Sequence, residues 1–385
     1  MANDFKLPSH IVVGEGALEN AKRFLVSYGK KALIVTGKHV VKSPMMEELK
    51  AALTDAGVAY VVFDGITGEP TDVMIEEGLA VYEESGCEFC IGIGGGSPLD
   101  SAKAIAAMSV NPGKIADYNG KVMDKKIPPV VAIPTTAGTG SEATMFTIVT
   151  DTEKGIKMLL KGEALLPELA VVDPSFTASS PKNVTVATGL DTLTHAVEAY
   201  TSKKAFCMTD TLALSAVKRI FRYLPAALAD GNDKKAREEM AVAALEAGIC
   251  INNSSVTIVH GMSRPIGALF HVPHGISNAM LLTVCLGFAL DGAYGRFADL
   301  GRAIGAACGD EDDESAAKKF IEQLEKLCHT CEVPTLEEYG IDRDAFFSSI
   351  DKMSQDAVDS GSPGNTRKPV TAADVKELYK KLWAH

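Results

Sequence analysis

The sequence predicts two unlike domains: an α/β domain built on a doubly wound parallel sheet, residues 1–181, and an all-helical domain, residues 182–385. Two observations carry this. Up to about residue 180, short β-branched runs alternate with helical stretches long enough to be right-handed crossovers. Beyond Pro181 long helical periods take over and strand signals nearly vanish, which places the boundary in the Asp173-Pro174 to Pro181 stretch.

Taken in order, KALIVT (31–36) reads as a buried strand and 43–56 as a helix. VAYVVF (58–63) is a second strand, followed by a helix near 71–85. FCIGI (89–93) and 130–133 are two more strands, with a helix from Pro98 between them. Pro98 falls in a first turn, where its missing N–H costs nothing. The second half reads as helices over about 184–201, 207–229 and 234–253, then several more to Leu382. Two domains of unlike class are expected to leave a cleft suited to a small molecule.

Composition narrows the function. Apolar residues make up 46% and charged residues 23%, the balance of an ordinary globular protein. A net charge of −12 without dense Lys/Arg runs argues against a nucleic-acid or anionic-membrane partner. No stretch approaches the ~20 uninterrupted apolar residues that span a bilayer, and the N-terminus lacks the pattern of a signal peptide. The eight cysteines are scattered, several in apolar runs, as in a reducing cytoplasm. Cys87/Cys90 and Cys328/Cys331 have C-x-x-C spacing but lie too far apart in sequence for a zinc ribbon.

Two loops have the look of ligand sites. Gly94-Gly95-Gly96-Ser97-Pro98-Leu99-Asp100 follows a strand and opens a helix, with Asp100 and Lys103 one turn in. Glycines there let the backbone approach an anion while free N–H groups of the helix start point at it. The loop has neither the common dinucleotide spacing nor the G-K-[ST] of a P-loop, so alone it does not name its anion. Thr135-Thr136-Ala137-Gly138-Thr139-Gly140-Ser141 follows another strand. Its hydroxyls suit ribose and amide contacts at the carboxyl end of a parallel sheet.

The second domain holds a metal-type constellation. Asp191 and His195 are i and i+4, so they share one helix face. His260 and His274 are separated by a stretch containing Pro265, Gly267 and Pro273, which allows a helix end and a loop to bring both imidazoles together. One carboxylate and three imidazoles suit Fe²⁺ or Zn²⁺ and leave room for substrate.

These segments, GGGSPLDSAKAIA (94–106), PTTAGTGSEAT (134–144), LPELAVVDP (166–174), ATGLDTLTHAVEAY (187–200) and VHGMSRPIGALFHVPHG (259–275), resemble the iron-containing (group III) alcohol dehydrogenase family over nearly the whole chain. The resemblance implies a dehydroquinate synthase-like architecture, a dinucleotide-binding domain followed by a metal-binding one. It implies Asp191, His195, His260 and His274 as metal ligands, Gly95, Gly96, Ser97 and Asp100 at the pyrophosphate, and Thr135, Thr136, Thr139 and Ser141 near the cofactor. Lys157 looks like the family lysine close to the nicotinamide. The implied reaction is hydride exchange between NAD(P)(H) and a small alcohol or aldehyde, with Fe²⁺, or alternatively Zn²⁺, as Lewis acid. Family members commonly form homodimers or larger homo-oligomers.

Two departures matter. Where the family often carries a second histidine four residues after the third ligand, this chain has Arg264. Arginine is no base at neutral pH. It either clamps an anionic substrate (a hydroxy acid, semialdehyde or sulfonate), pairs with a neighbouring carboxylate, or points at cofactor phosphate. Arg367 in SGSPGNTRKP (360–369) is a second anion candidate. After the first strand, Thr36-Gly37-Lys38-His39 lacks the acid that bonds the ribose hydroxyls of NAD, which leans the choice towards NADP(H), with Gly37 and Lys38 at the cofactor. Competing readings are a glycerol dehydrogenase-like or dehydroquinate synthase-like enzyme on the same fold, or a non-catalytic nucleotide-binding module.

Overall fold

A computed structural model describes residues 2–384. The chain divides into two compact units, one over Lys6–Ser180, the other comprising the described residues up to Phe5 and those from Pro181 onward.

The first unit is α/β, as its alternating pattern predicts. Strands β1 (His10–Val13), β2 (Lys31–Val35), β3 (Ala59–Phe63), β4 (Phe89–Gly94), β5 (Val130–Pro134) and β8 (Leu169–Val172) form one sheet in the order β1-β8-β5-β4-β2-β3. All its pairings are parallel. Alternate side chains of β2 go to opposite faces: Ile34 joins a core with Leu18, Leu25, Met46 and Leu49. Those residues belong to helices α1 (Ala17–Tyr28) and α2 (Pro44–Asp55). Leu33 and Val35 join the other core, with Ile75 and Ile105 of α3 (Asp72–Glu84) and α4 (Gly96–Met108). Both faces of the sheet are therefore covered, which is why its strands read as continuous apolar runs.

Three features depart from the sequence reading. β1 and β8 are strands of four residues, too short for a clear periodic signal. Strands β6 (Phe146–Asp151) and β7 (Ile156–Lys161) form a separate antiparallel hairpin with alternating burial, in a stretch to which the sequence reading assigns no element.

The second unit is helical: α5 (Lys182–Thr201), α6 (Cys207–Ala229), α7 (Lys234–Ser254), α8 (Ile258–Phe270), α9 (His274–Ala289), α10 (Tyr294–Ala303), α11 (Asp313–Thr330), α12 (Arg343–Asp359) and α13 (Ala372–Ala384). Helix α5 is its axis, buried along nearly its whole length and packed by α6, α7 and α9. Buried hydroxyls on it need acceptors, and Thr188, Thr192, Thr194 and Thr201 each donate to the carbonyl one turn earlier. The segment His274–Gly292 is long and apolar enough to cross a membrane, yet 61% of it is buried inside the protein, as in a core helix.

Candidate metal centre

Asp191 is the tenth residue of α5, so it is not there to neutralise a helix N-terminus. It turns the same way as His195, one turn on. The structure places His260 in the first turn of α8, and His274 opens α9 directly after Pro273; both are at helix starts rather than on a loop. One ligand atom from each of the four residues lies within 4.8 Å of every other. Asp191 Oδ1 is 3.8 Å from His195 Nε2 and 3.7 Å from both His260 Nε2 and His274 Nε2. Asp191, His195 and His260 are buried, whereas the His274 side chain is 40% exposed and marks the open side.

Electrostatics make this a site that wants a cation. Burial alone pushes the Asp191 carboxyl up, but His195, His274, His260 and the Asn278 amide together outweigh it and hold it below the ordinary carboxylate range. Burial, then the neighbouring imidazoles, hold His260 well below its usual value, so its ring is neutral and offers a lone pair. A hard carboxylate oxygen and converging imidazole nitrogens match the donor chemistry of a divalent transition metal.

Two supporting residues escaped the sequence reading. Glu198, fully buried two turns beyond Asp191, accepts from Thr257 Oγ1 (2.7 Å), Val259 N (2.6 Å) and His260 Nδ1 (2.5 Å). It thus caps the start of α8 from a neighbouring helix and fixes the His260 tautomer with Nε2 facing the cluster. Burial pushes its carboxyl up, and the Thr257 and Val259 donors offset that only in part. Asn278, one turn past His274, places Nδ2 2.7 Å from Asp191 Oδ1 and 3.2 Å from the Nε2 atoms of His260 and His274. The signal was present: in HAVEAY a charged residue repeats on the Asp191 face of an otherwise apolar helix.

Arg264 lies one turn beyond His260 on α8. Its Nη1 donates to Ser362 Oγ at 3.1 Å, and among the described residues no carboxylate reaches ion-pair distance. Burial pulls its basicity down, offset in part by the more distant Glu198. Pairing with a neighbouring carboxylate is thereby removed as its explanation. The 360–369 segment does reach this region through Ser362, and Pro363 packs on Gly261. Arg367 does not: it lines a different cavity with Arg296, Arg302 and Asp313. The reason is that the chain turns at Pro363–Asn365 and carries Arg367 away.

In the α/β unit, Gly37, Lys38, His39, Thr67, Gly94, Gly95 and Pro98 border a pocket of about 340 Å³. Gly94 has φ +151°, and a Cβ there would meet Pro98 Cγ at 2.6 Å. A Cβ on Gly96 would meet Thr139 Cγ2 at 2.8 Å, so the two glycine loops touch. Other predicted cofactor residues turn inward. Asp100 accepts from Ser141 Oγ (2.5 Å) and Ile148 N (3.0 Å), so both its oxygens are engaged by protein donors instead of by a pocket. Buried Lys103 donates to Ser141 Oγ, to Thr144 and to Phe146 O, which pins the second loop to α4. Thr135 is held by its N–H to Gly94 O, and Ser97 and Thr136 are half-buried beside them. Lys157, on β7, pairs with Glu69 at 2.6 Å rather than standing free.

An α/β unit with a glycine-lined pocket, together with a helical unit that converges a carboxylate and three imidazoles able to hold a metal ion, defines a class of two-domain proteins. Family models agree: "iron-containing alcohol dehydrogenase" matches residues 8–174, and the family's C-terminal domain matches 185–383. The NAD-dependent methanol dehydrogenase of Bacillus methanolicus is 34% identical over 98% of this chain and 99% of its own. The crystal structure of a 1,3-propanediol oxidoreductase superimposes with a TM-score of 0.95 at 32% identity, covering 99% of this chain and 100% of the other. Sulfoacetaldehyde reductase from Bifidobacterium kashiwanohense, solved with NAD⁺, gives 0.88 at 27% identity over 100% and 99%. The chain belongs to the iron-containing alcohol dehydrogenase family, and it is an oxidoreductase acting on CH–OH groups. The non-catalytic reading falls with that membership.

Proposed function

We propose that this protein is a metal-dependent, NAD(P)(H)-using reductase of a small anionic aldehyde, or a dehydrogenase of the matching hydroxy acid or hydroxy sulfonate. A divalent ion held by Asp191, His195, His260 and His274 supplies Lewis acidity, and a bound nicotinamide supplies or accepts the hydride. Fe²⁺ is our choice of ion, with Zn²⁺ the alternative for the same ligands.

The observation that carries the substrate class is Arg264. A half-buried guanidinium has five N–H donors, and here one of them meets a protein oxygen, that of Ser362. The sulfoacetaldehyde reductase among the structural relatives acts on an anionic aldehyde by its name.

For the cofactor we favour NADP(H). Lys38 and His39 border the glycine pocket, and among the described residues no acidic side chain does. Lys38 pairs with Asp64 at 2.8 Å across an exposed surface, a contact weak enough to yield to a 2′-phosphate. Gly37 has a separate reason, since a Cβ there would meet Ile66 O at 2.8 Å. We also place the enzyme in a reducing cytoplasm, in keeping with eight free cysteines.

The test is steady-state kinetics on neutral and anionic aldehydes of equal length, with NADH and NADPH compared at equal concentration. Arg264→Ala should raise KM for the anionic aldehyde by about tenfold or more, the loss of one charged hydrogen bond, and leave the neutral one nearly unchanged. An unchanged KM for the anion sinks the clamp.

A further inference from the structure

We infer that Asn278 is a reversible ligand of the metal centre, an amide that hydrogen-bonds the ligand side chains through its nitrogen and turns its oxygen to a bound ion. The inference rests on the reading of Asp191, His195, His260 and His274 as metal ligands.

Asn278 is fully buried at the ligand cluster, one turn past His274 on α9. Its Nδ2 faces three acceptors at once: Asp191 Oδ1 at 2.7 Å and the Nε2 atoms of His260 and His274 at 3.2 Å. His260 Nε2 is an acceptor because Glu198 takes the proton on Nδ1. The other end of the same amide has nothing: Asn278 Oδ1 is buried without a hydrogen-bond partner. A buried carbonyl left unpaired is costly, and native proteins rarely keep one without a use for it.

With no ion present, the nitrogen-inward arrangement is the better one, because two N–H donors meet a carboxylate and two ring lone pairs. A cation at the cluster reverses that preference. The amide nitrogen has no free lone pair to give, and its hydrogens carry positive charge towards the ion. The carbonyl oxygen is an ordinary ligand for hard and borderline divalent ions. Oxygen and nitrogen exchange places by a half-turn about the last side-chain bond, which has a broad two-fold profile and moves no backbone. Either orientation leaves one end of the amide without a protein partner, so the ion itself decides between them. Nδ2 bonded to Asp191 when the site is empty also keeps the ligands together, so the site stays preformed.

The test uses the full chain stripped with a chelator and refilled with Co²⁺, whose visible absorption reports coordination number. Wild type, Asn278→Ala and the near-isosteric Asn278→Asp are compared by absorption, by X-ray absorption and by chelator competition. Wild type and Asn278→Asp should share the higher coordination number. Asn278→Ala should drop to a lower one, with stronger visible absorption and roughly ten- to hundredfold weaker binding. A spectrum unchanged in Asn278→Ala overturns the inference whatever the affinity does, since the amide would then act only through its bond to Asp191. If wild type itself fails to bind one Co²⁺ per chain, the metal reading falls first, and this inference with it.

Discussion

At the scale of single residues, the centre depends on groups that touch no substrate. Glu198 is a carboxylate buried in the helical core, and it persists there because Thr257, Val259 and His260 satisfy it. Its position fixes which nitrogen of His260 keeps the lone pair. Glu198→Gln preserves size but replaces an acceptor with an amide that can present N–H to the ring. The expected outcome is metal affinity lowered by roughly ten- to hundredfold, with the apo fold retained, measured by chelator competition beside circular dichroism. Affinity within twofold of wild type would show that the His260 tautomer is set elsewhere.

At the scale of elements, the four ligands meet because α9 starts hard against α5. Gly275 follows His274, and a Cβ at that position would lie 2.2 Å from the carbonyl oxygen of Ala187 on α5. That neighbour is backbone and cannot swing aside, so Gly275→Ala must push the start of α9 away and carry His274 with it. The variant should lower Tm by several degrees and weaken metal binding at least tenfold. Gly287, on the same helix, has open space where its Cβ would be. Gly287→Ala should therefore match wild type or gain slightly, because alanine is the better helix former. Equal behaviour of the two variants would remove the close-packing argument.

At the scale of the whole molecule, each of the two units carries its own ligand-type features, and ligand binding adds to folding stability by mass action. An ion at a hundredfold excess over its dissociation constant contributes about 2.7 kcal/mol. For a unit of this size that corresponds to roughly 5–10 °C in Tm. Chelation should lower the melting temperature by that order, and Fe²⁺ or Zn²⁺ should restore it, as differential scanning fluorimetry can follow. A melting curve indifferent to chelator and ion would count against a resident metal.

The sequence alone determined a good deal of this. Strands of the inner sheet were legible because both faces of a covered parallel sheet demand unbroken β-branched runs, as in KALIVT and FCIGI. The i, i+4 spacing of Asp191 and His195 was legible because helix periodicity alone puts them on one face. The glycine loop was legible because a turn such as that at Gly94 tolerates no side chain. Short β1 and the inward turn of Asp100 were not, since each depends on partners distant in sequence: β8 for β1, Ser141 and Ile148 for Asp100. Only the tertiary structure put Glu198 on His260, Asn278 on Asp191, and Arg264 beside Ser362 while Arg367 went elsewhere. The physical reason is that local periodicity fixes which face a side chain takes, whereas its hydrogen-bond partners are chosen by helices that meet only after the core has packed.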